Sequence, residues 1–429
     1  CTFRASFSIQ IRMEPRFFFK RYGIISYNLL CGDPMKQILQ HMKDGKTVVE
    51  DVPVPGIRPK MLLVQTAASL LSAGTERMVV EFAGKNLVGK ALSRPDLVRQ
   101  VISKAQREGV LTTIEAAFNK LDQPMALGYS SAGVVIEVGA GVTGFKAGDR
   151  VACAGGGFAV HAEYALVPQN LAVHLPDSVD FESAAFTTLG AIAMQGFRLA
   201  APQVGESVCV IGMGLLGLLT AQIARASGCS VLGADVSSER VQLAERLGFK
   251  AALNGSIPDL YPGMTGGKGF DHVIICADTS SNEPVELAGL IARDRATVVA
   301  TGAVGLQIPR KVYYEKELNL KISRSYGPGR YDPQYEEGGV DYPLGYVRWT
   351  EGRNLQSFVD LMAGGKVDVK PLITHRFNIE QGAQAHDMLT GKTHEPFLGV
   401  LLLYPQKETP DARAHQVFLD QTQHPVTEK

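Results

Sequence analysis

Ser207-Val-Cys-Val-Ile-Gly212-Met-Gly214-Leu215-Leu216-Gly217 is the stretch on which the reading of this chain turns. Residues 208–211 are a short apolar run with the length of a buried strand. They lead directly into G-x-G-x-x-G, and residues 215–226 follow with apolar side chains at helical spacing. A second β-type run, 231–234, ends in Asp235. This order of strand, glycine turn, helix and acid-tipped strand is the context that a dinucleotide fingerprint needs. Gly212 permits the tight turn, Gly214 lets the backbone approach a pyrophosphate, and Gly217 lets helix and strand pack closely. Leu215 and Leu216 open the helix, whose N-terminus presents unpaired N–H groups and a partial positive charge to phosphates. The competing reading is a glycine-rich turn in some other α/β sheet.

Asp235 lies where an acid can hydrogen-bond the adenosine ribose hydroxyls. A carboxylate there repels a 2′-phosphate, so NAD(H) is favoured over NADP(H). Arg240, one helical turn into the next helix, is the dissenting residue. It either reaches a 2′-phosphate or pairs with Glu239 or Glu245 on a solvated face.

The rest of the chain sets bounds. Its 429 residues suffice for two or three domains with sizeable cores. A formal net charge of zero argues against nucleic acid as the main partner. No apolar run reaches the ~18 residues of a membrane span. The six cysteines are scattered without a C-x-x-C, which fits a reducing, cytoplasmic compartment and opposes a thiolate zinc cluster. Residues 1–34 carry Phe17-Phe18-Phe19 among basic residues but no signal-peptide pattern. They are expected to be a non-native or disordered leader before Met35; a basic-aromatic docking arm is the alternative.

Residues 35–188 read as β-rich, with strands at 36–41, 47–52, 61–67 and 132–138. A helical insertion is expected over 77–127, with helices at 94–109 and 112–121; Ser93-Arg94-Pro95-Asp96 resembles a capping box. Strands at 208–211, 231–234, 272–276, 298–301 and 318–322 alternate with helices or loops across 189–323, as a parallel sheet requires. Residues 324–404 return with helices at 356–362 and 380–389 and a closing strand at 398–403. The polar tail, 405–429, is expected to be disordered.

This order resembles the medium-chain dehydrogenase/reductase superfamily, the zinc alcohol dehydrogenase-like fold. The matching residues are Glu50-Asp-Val-Pro-Val-Pro55, Gly74-Thr-Glu76, Gly133 to Gly139, Gly144 to Val151, Ala162-Glu-Tyr164 and Gly212 to Gly217. The insertion and Arg324-Ser-Tyr-Gly-Pro-Gly-Arg-Tyr331 resemble the N-terminal unit of bacterial bi-domain oxidoreductases. The fold implied is α/β: a GroES-like catalytic domain plus a doubly wound Rossmann domain. The implied chemistry is hydride transfer between a nicotinamide and an alcohol or carbonyl. Zinc-dependent relatives of that fold carry ligands where this chain has Ser72 or Ala73, Tyr129 and a position near Thr187. None is a good zinc donor, so no zinc is expected.

Without a Lewis acid, hydrogen-bond or proton donors must serve the substrate oxygen. The resemblance puts Tyr129 in the lost histidine's place and Thr75 at a proton-relay hydroxyl. Filling a hole and capping a turn are their plainer roles. His161 is a third acid/base candidate or a structural histidine. Glu76 orients a neighbour or pairs with Arg77. Tyr326, Arg330 and Tyr331 are candidate substrate residues, since aromatic faces stack on sugars and arginine binds carboxylate or phosphate. A subunit contact is the other reading of that loop. The expectation is therefore a zinc-independent, NAD(H)-dependent oxidoreductase acting on a small polar alcohol or carbonyl, including sugar derivatives. It is also expected to form a homo-oligomer and to work beside a second oxidoreductase domain or protein. A zinc-free quinone or enone reductase and a non-catalytic nucleotide-binding partner of another oxidoreductase are the alternatives.

Overall fold

β1 (Met35–Gln40) and β2 (Thr47–Val52) pair antiparallel across the Asp44-Gly45 turn, from Met35↔Val52 to Gln40↔Thr47. The computed structural model describes residues 34–85 and 123–406. The helices expected at 94–109 and 112–121 lie outside the described residues, as do nearly all of 1–34 and the tail from 407.

β3 (Met61–Leu70) is buried at all ten positions. Its apolar run makes it the centre of a seven-stranded sheet. It pairs antiparallel with β5 (Ser130–Val138), β7 (Tyr164–Pro168) and β16 (Gly399–Leu403). β6 (Arg150–Ala154) and β8 (Ala172–His174) extend the sheet beyond β5, and β15 (Ile373–Asn378) lies parallel to β16 at the other edge. Two corrections follow at the insertion. The helix Thr75–Gly84 starts before residue 77, and β4 (Met125–Ala126) rejoins the fold against β1, so 77–127 is not wholly inserted. The tail is also held at its start, where the Gln406 side chain donates to the Thr66 carbonyl.

The second sheet is parallel throughout. It contains β9 (Ser207–Ile211), β10 (Ser230–Asp235), β11 (Lys250–Leu253), β12 (Phe270–Ile275), β13 (Ala292–Ala300) and β14 (Asn319–Ile322). Its order is β11-β10-β9-β12-β13-β14, the 3-2-1-4-5-6 arrangement of a doubly wound nucleotide-binding sheet. The chain reverses direction between β9 and β12, and ligands bind such sheets at that switch point.

Two helices join the halves. Thr187–Ala200 gives Ala193, Met194 and Phe197 to the nucleotide-side core and Ala191 to the core of the seven-stranded sheet. Glu351–Ala363 likewise gives Phe358 to the first and Leu355 and Val359 to the second. Fully burying one such side chain is worth about 1.5–3 kcal/mol. Shared helices therefore hold the two sides of the intervening cleft in fixed relation. Among the described residues, no helix is long and apolar enough to cross a membrane.

Candidate functional site

A cleft of about 720 Å³ runs between the two halves. One wall is the switch point of the parallel sheet. Gly212 has φ +96°, and a Cβ there would lie 2.6 Å from the Ala277 nitrogen. A Cβ on Gly217 would overlap the Gly212 carbonyl oxygen, so only glycine allows this approach of helix to turn. The helix Leu215–Ala226 begins at Gly214 with no side-chain cap, leaving its first N–H groups turned to the cleft. Asp235, 5% exposed, accepts the Met213 N–H at 2.6 Å and the Ser237 N–H at 2.9 Å. Arg240 reaches across Gly214; its Nη1 would be 2.9 Å from a Cβ at that glycine. These groups fit a dinucleotide: backbone donors and a helix N-terminus for phosphates, an acid for ribose hydroxyls.

The opposite wall is built from side-chain hydroxyls. It carries Ser72, Thr75 and Tyr129, with Ser325, Tyr326, Arg330 and Tyr331 beside them. Tyr129 Oη donates to Ser72 Oγ at 3.0 Å, and the Thr75 N–H donates to the same oxygen at 3.2 Å. Burial, reinforced by the charge of Glu76, pushes the Tyr129 phenol up to about 12 against the opposing hydrogen bonds to Ser72 and Thr75. At neutral pH it is a proton donor and not a phenolate.

Beneath this wall lies a buried cluster. Glu76 Oε1 accepts the Ser72 N–H at 3.0 Å. Its carboxylate also meets His161 Nε2 at 3.1 Å and His386 Nε2 at 2.9 Å. Burial alone would raise the Glu76 carboxyl, but His161 and His386 outweigh it and hold the group well below the usual carboxylate range. His386 Nδ1 is 2.8 Å from the Gly382 carbonyl, and His161 Nδ1 is 2.7 Å from Ser69 Oγ, which also contacts Tyr404 Oη.

Patterns of two known families match the chain: the alcohol dehydrogenase GroES-like domain over residues 99–177 and the zinc-binding dehydrogenase over 216–337. Sorbitol dehydrogenase 1 of Saccharomyces cerevisiae is 30% identical over 302 residues, covering 62% of this chain and 78% of that protein. The chain belongs to the medium-chain dehydrogenase/reductase superfamily. D-xylulose reductase A of Aspergillus oryzae, another relative, is 30% identical over 308 residues, or 63% of this chain and 78% of that one. In fold, the chain resembles 2R,3R-butanediol dehydrogenase from Bacillus subtilis at TM-score 0.64 and 19% identity, over 87% of this chain and 100% of that one. Galactitol-1-phosphate dehydrogenase from Escherichia coli gives TM-score 0.64 and 23% identity, over 86% and 99%. As a superfamily member, the protein is an NAD(P)-dependent oxidoreductase with a GroES-like half and a Rossmann-like half.

Zinc is the metal named in the matching dehydrogenase family, and the cleft wall does not suit it. Tyr129 and Ser72 are bonded to each other, Ala73 has no donor, and Thr187 is fully buried. Zinc takes thiolate, imidazole or carboxylate. Among the described residues, the His, Cys, Asp and Glu donors that converge closely enough to hold an ion are Glu76, His161 and His386, within 4.8 Å. None of the three lines the cleft.

The structure thus brings Thr75, Tyr129, Gly212, Gly214, Leu215, Leu216, Asp235, Arg240, Tyr326, Arg330 and Tyr331 to one cleft. Gly217 stands behind it as packing. Of the two roles open to His161, its burial favours the structural one: it is fully buried beneath the wall and does not line the cleft. Tyr326 is only 2% exposed and packs into the core behind this wall, with no partner for its hydroxyl. Arg330 stacks on Tyr331 and is paired with Glu336. Sequence reasoning named Ser72 only as a lost ligand position and missed His386 and Glu351. His386 lies 310 residues from its partner Glu76, beyond any local pattern.

Proposed function

We propose that this protein is an NAD(H)-preferring dehydrogenase or reductase of polyol-type alcohols and their carbonyl counterparts, with hydroxyl donors in place of a catalytic zinc. The observation that carries this reading is the Tyr129–Ser72 hydrogen bond on the cleft wall, at positions where the superfamily resemblance places metal ligands. The sorbitol and xylulose names of its relatives support the substrate class. Gly212, Gly214, Leu215, Leu216 and Asp235 would hold the dinucleotide, whose nicotinamide supplies or accepts hydride. Asp235, poised at the ribose position, favours NAD(H).

The chain's own residues do the rest. Tyr129 keeps its proton at neutral pH and supplies it toward the substrate oxygen as charge develops there. Tyr331, exposed on the cleft wall, gives an aromatic surface for a sugar-like carbon chain. Arg330 shares its charge with Glu336, which suits hydroxyl recognition better than capture of a strong anion.

The test assays the purified full chain against sorbitol, xylitol, a quinone and an enone with both nicotinamide cofactors, alongside elemental analysis after mild chelation. Expected are polyol turnover that survives chelation and far less than one zinc per chain. Stoichiometric zinc on which activity depends would overturn the reading and direct attention to Glu76, His161 and His386. Turnover of the enone or quinone alone would replace the substrate class.

A further inference from the structure

We infer that Ser72 is the group that touches the substrate oxygen, with Tyr129 beside it as proton source and Glu76 beneath it as its positioning residue. The inference rests on the proposed alcohol–carbonyl chemistry and adds a residue to it. A serine hydroxyl has one donor and two acceptor sites. Both acceptor sites of Ser72 are filled, by Tyr129 Oη–H at 3.0 Å and by the Thr75 N–H at 3.2 Å. Its single O–H is therefore left over. Ser72 lines the cleft and is partly exposed there, so that O–H is available to a ligand.

The backbone of Ser72 is fixed just as firmly. Its N–H donates to Glu76 Oε1 at 3.0 Å. Glu76 is held in place because it is buried and both its oxygens are tied to imidazoles: the carboxylate meets His161 Nε2 at 3.1 Å, and Oε2 meets His386 Nε2 at 2.9 Å. Both nitrogens of His386 face acceptors, the Gly382 carbonyl and Glu76. The far end of the cluster is closed by Ser69 and Tyr404. A set of buried polar groups with every member paired is stiff, and here it fixes one serine on the cleft wall.

The proton movement balances. In the reducing direction, hydride from the reduced nicotinamide adds to the carbonyl carbon, and the C=O π pair moves onto oxygen. Ser72 Oγ gives that oxygen its proton as Tyr129 Oη passes a proton to Ser72 Oγ. The phenolate left behind takes a proton from water. An alkoxide is a stronger base than a phenolate, so the transfer runs toward product.

The experiment compares Ser72→Ala, Tyr129→Phe and the double variant by turnover and NADH affinity in chelator-treated full-length protein. Losing one such donor costs about 10²–10³ in turnover. Ser72→Ala is expected to lose about a hundredfold, with NADH affinity and melting temperature close to the parent. Tyr129→Phe should lose at least about tenfold. The double variant should be no worse than Ser72→Ala, because Tyr129 acts only through Ser72. Ser72→Thr, which keeps the hydroxyl, should recover most of the activity, showing that the loss is not a folding defect. In mixed H₂O and D₂O, parent turnover should curve as two moving protons require, and Ser72→Ala should not. Multiplicative losses in the double variant would mean that Tyr129 reaches the substrate directly and would overturn the relay. Parent-like turnover in Ser72→Ala would do the same. Loss of parent activity on chelation, or absence of turnover from the parent, would instead remove the underlying chemistry.

Discussion

The two walls of the cleft are built on opposite plans. The nucleotide wall is made of backbone: two glycines that tolerate no side chain, an uncapped helix and one carboxylate tied to main-chain N–H groups. The substrate wall is made of side-chain hydroxyls, and its charged support is hidden underneath. Backbone recognition depends on local geometry and survives wherever the glycine pattern survives. Side-chain recognition depends on groups that meet only in the folded chain. Glu76 reaches His161 85 residues away and His386 310 residues away. Function on this wall can therefore change while the fold stays put.

The largest effect should come from breaking the backbone wall. Gly217→Val places its Cβ against the Gly212 carbonyl and must push helix and turn apart. NADH affinity is expected to fall more than a hundredfold, or over 2.7 kcal/mol, with a clear drop in melting temperature. Overpacking of this kind typically costs about 1–3 kcal/mol in stability. Near-parent NADH binding measured by fluorescence titration would show that this wall does not hold the dinucleotide.

The same contrast explains what the sequence made legible. The glycine run, the strands on either side of it and Asp235 lie within thirty residues, and their pattern alone places them at the switch point. The observed strands at Ser207–Ile211 and Ser230–Asp235 enclose the runs expected at 208–211 and 231–234. On the other side, β6 and β7 were visible only as family motifs, and β8 and β15 were not expected at all. The parallel pairing of β15 with β16 is long-range and leaves no local period. Ser72 was passed over for a similar reason. Its importance comes from who donates to it, and Tyr129 lies 57 residues away. His161 stood open between an acid/base and a structural role, because a histidine beside a conspicuous motif looks the same in sequence whether it faces a cleft or a core; its full burial favours the second.

A second, smaller effect sharpens the comparison at Asp235. Ser in its place removes a charge and can accept fewer of the main-chain bonds that the carboxylate now takes from Met213 and Ser237. NADH affinity should fall about tenfold, roughly 1.4 kcal/mol. NADPH affinity should change little or rise, because a repulsive charge has gone and Arg240 stays beside Gly214. The gap between the cofactors narrows. Tighter NADPH than NADH binding in the unmutated chain would refute the assignment and make Arg240 the deciding residue.

The smallest effect concerns the substrate wall's rear support. Glu351 opens the helix Glu351–Ala363, is fully buried, and has no hydrogen-bond partner for either oxygen. Burial, reinforced by Glu336 and opposed by Arg330, pushes its carboxyl from the ordinary 4.5 up to about 9. The group is therefore a neutral acid at pH 7 in the folded protein and an ion in the unfolded chain. Between pH 4.5 and 9 the native state binds the extra proton, so stability falls as pH rises across that window. The stabilising contribution is complete below about 4.5 and is lost through about 9. Glu351→Gln has no proton to take up. Its melting temperature should gain on the parent's as pH is raised from about 5.5 to about 8.5, by about 2 °C or more. Parallel curves for Glu351→Gln and parent would mean that Glu351 is ionised in the fold and paired through water, and the substrate wall would then carry one more negative charge than its hydrogen bonds imply.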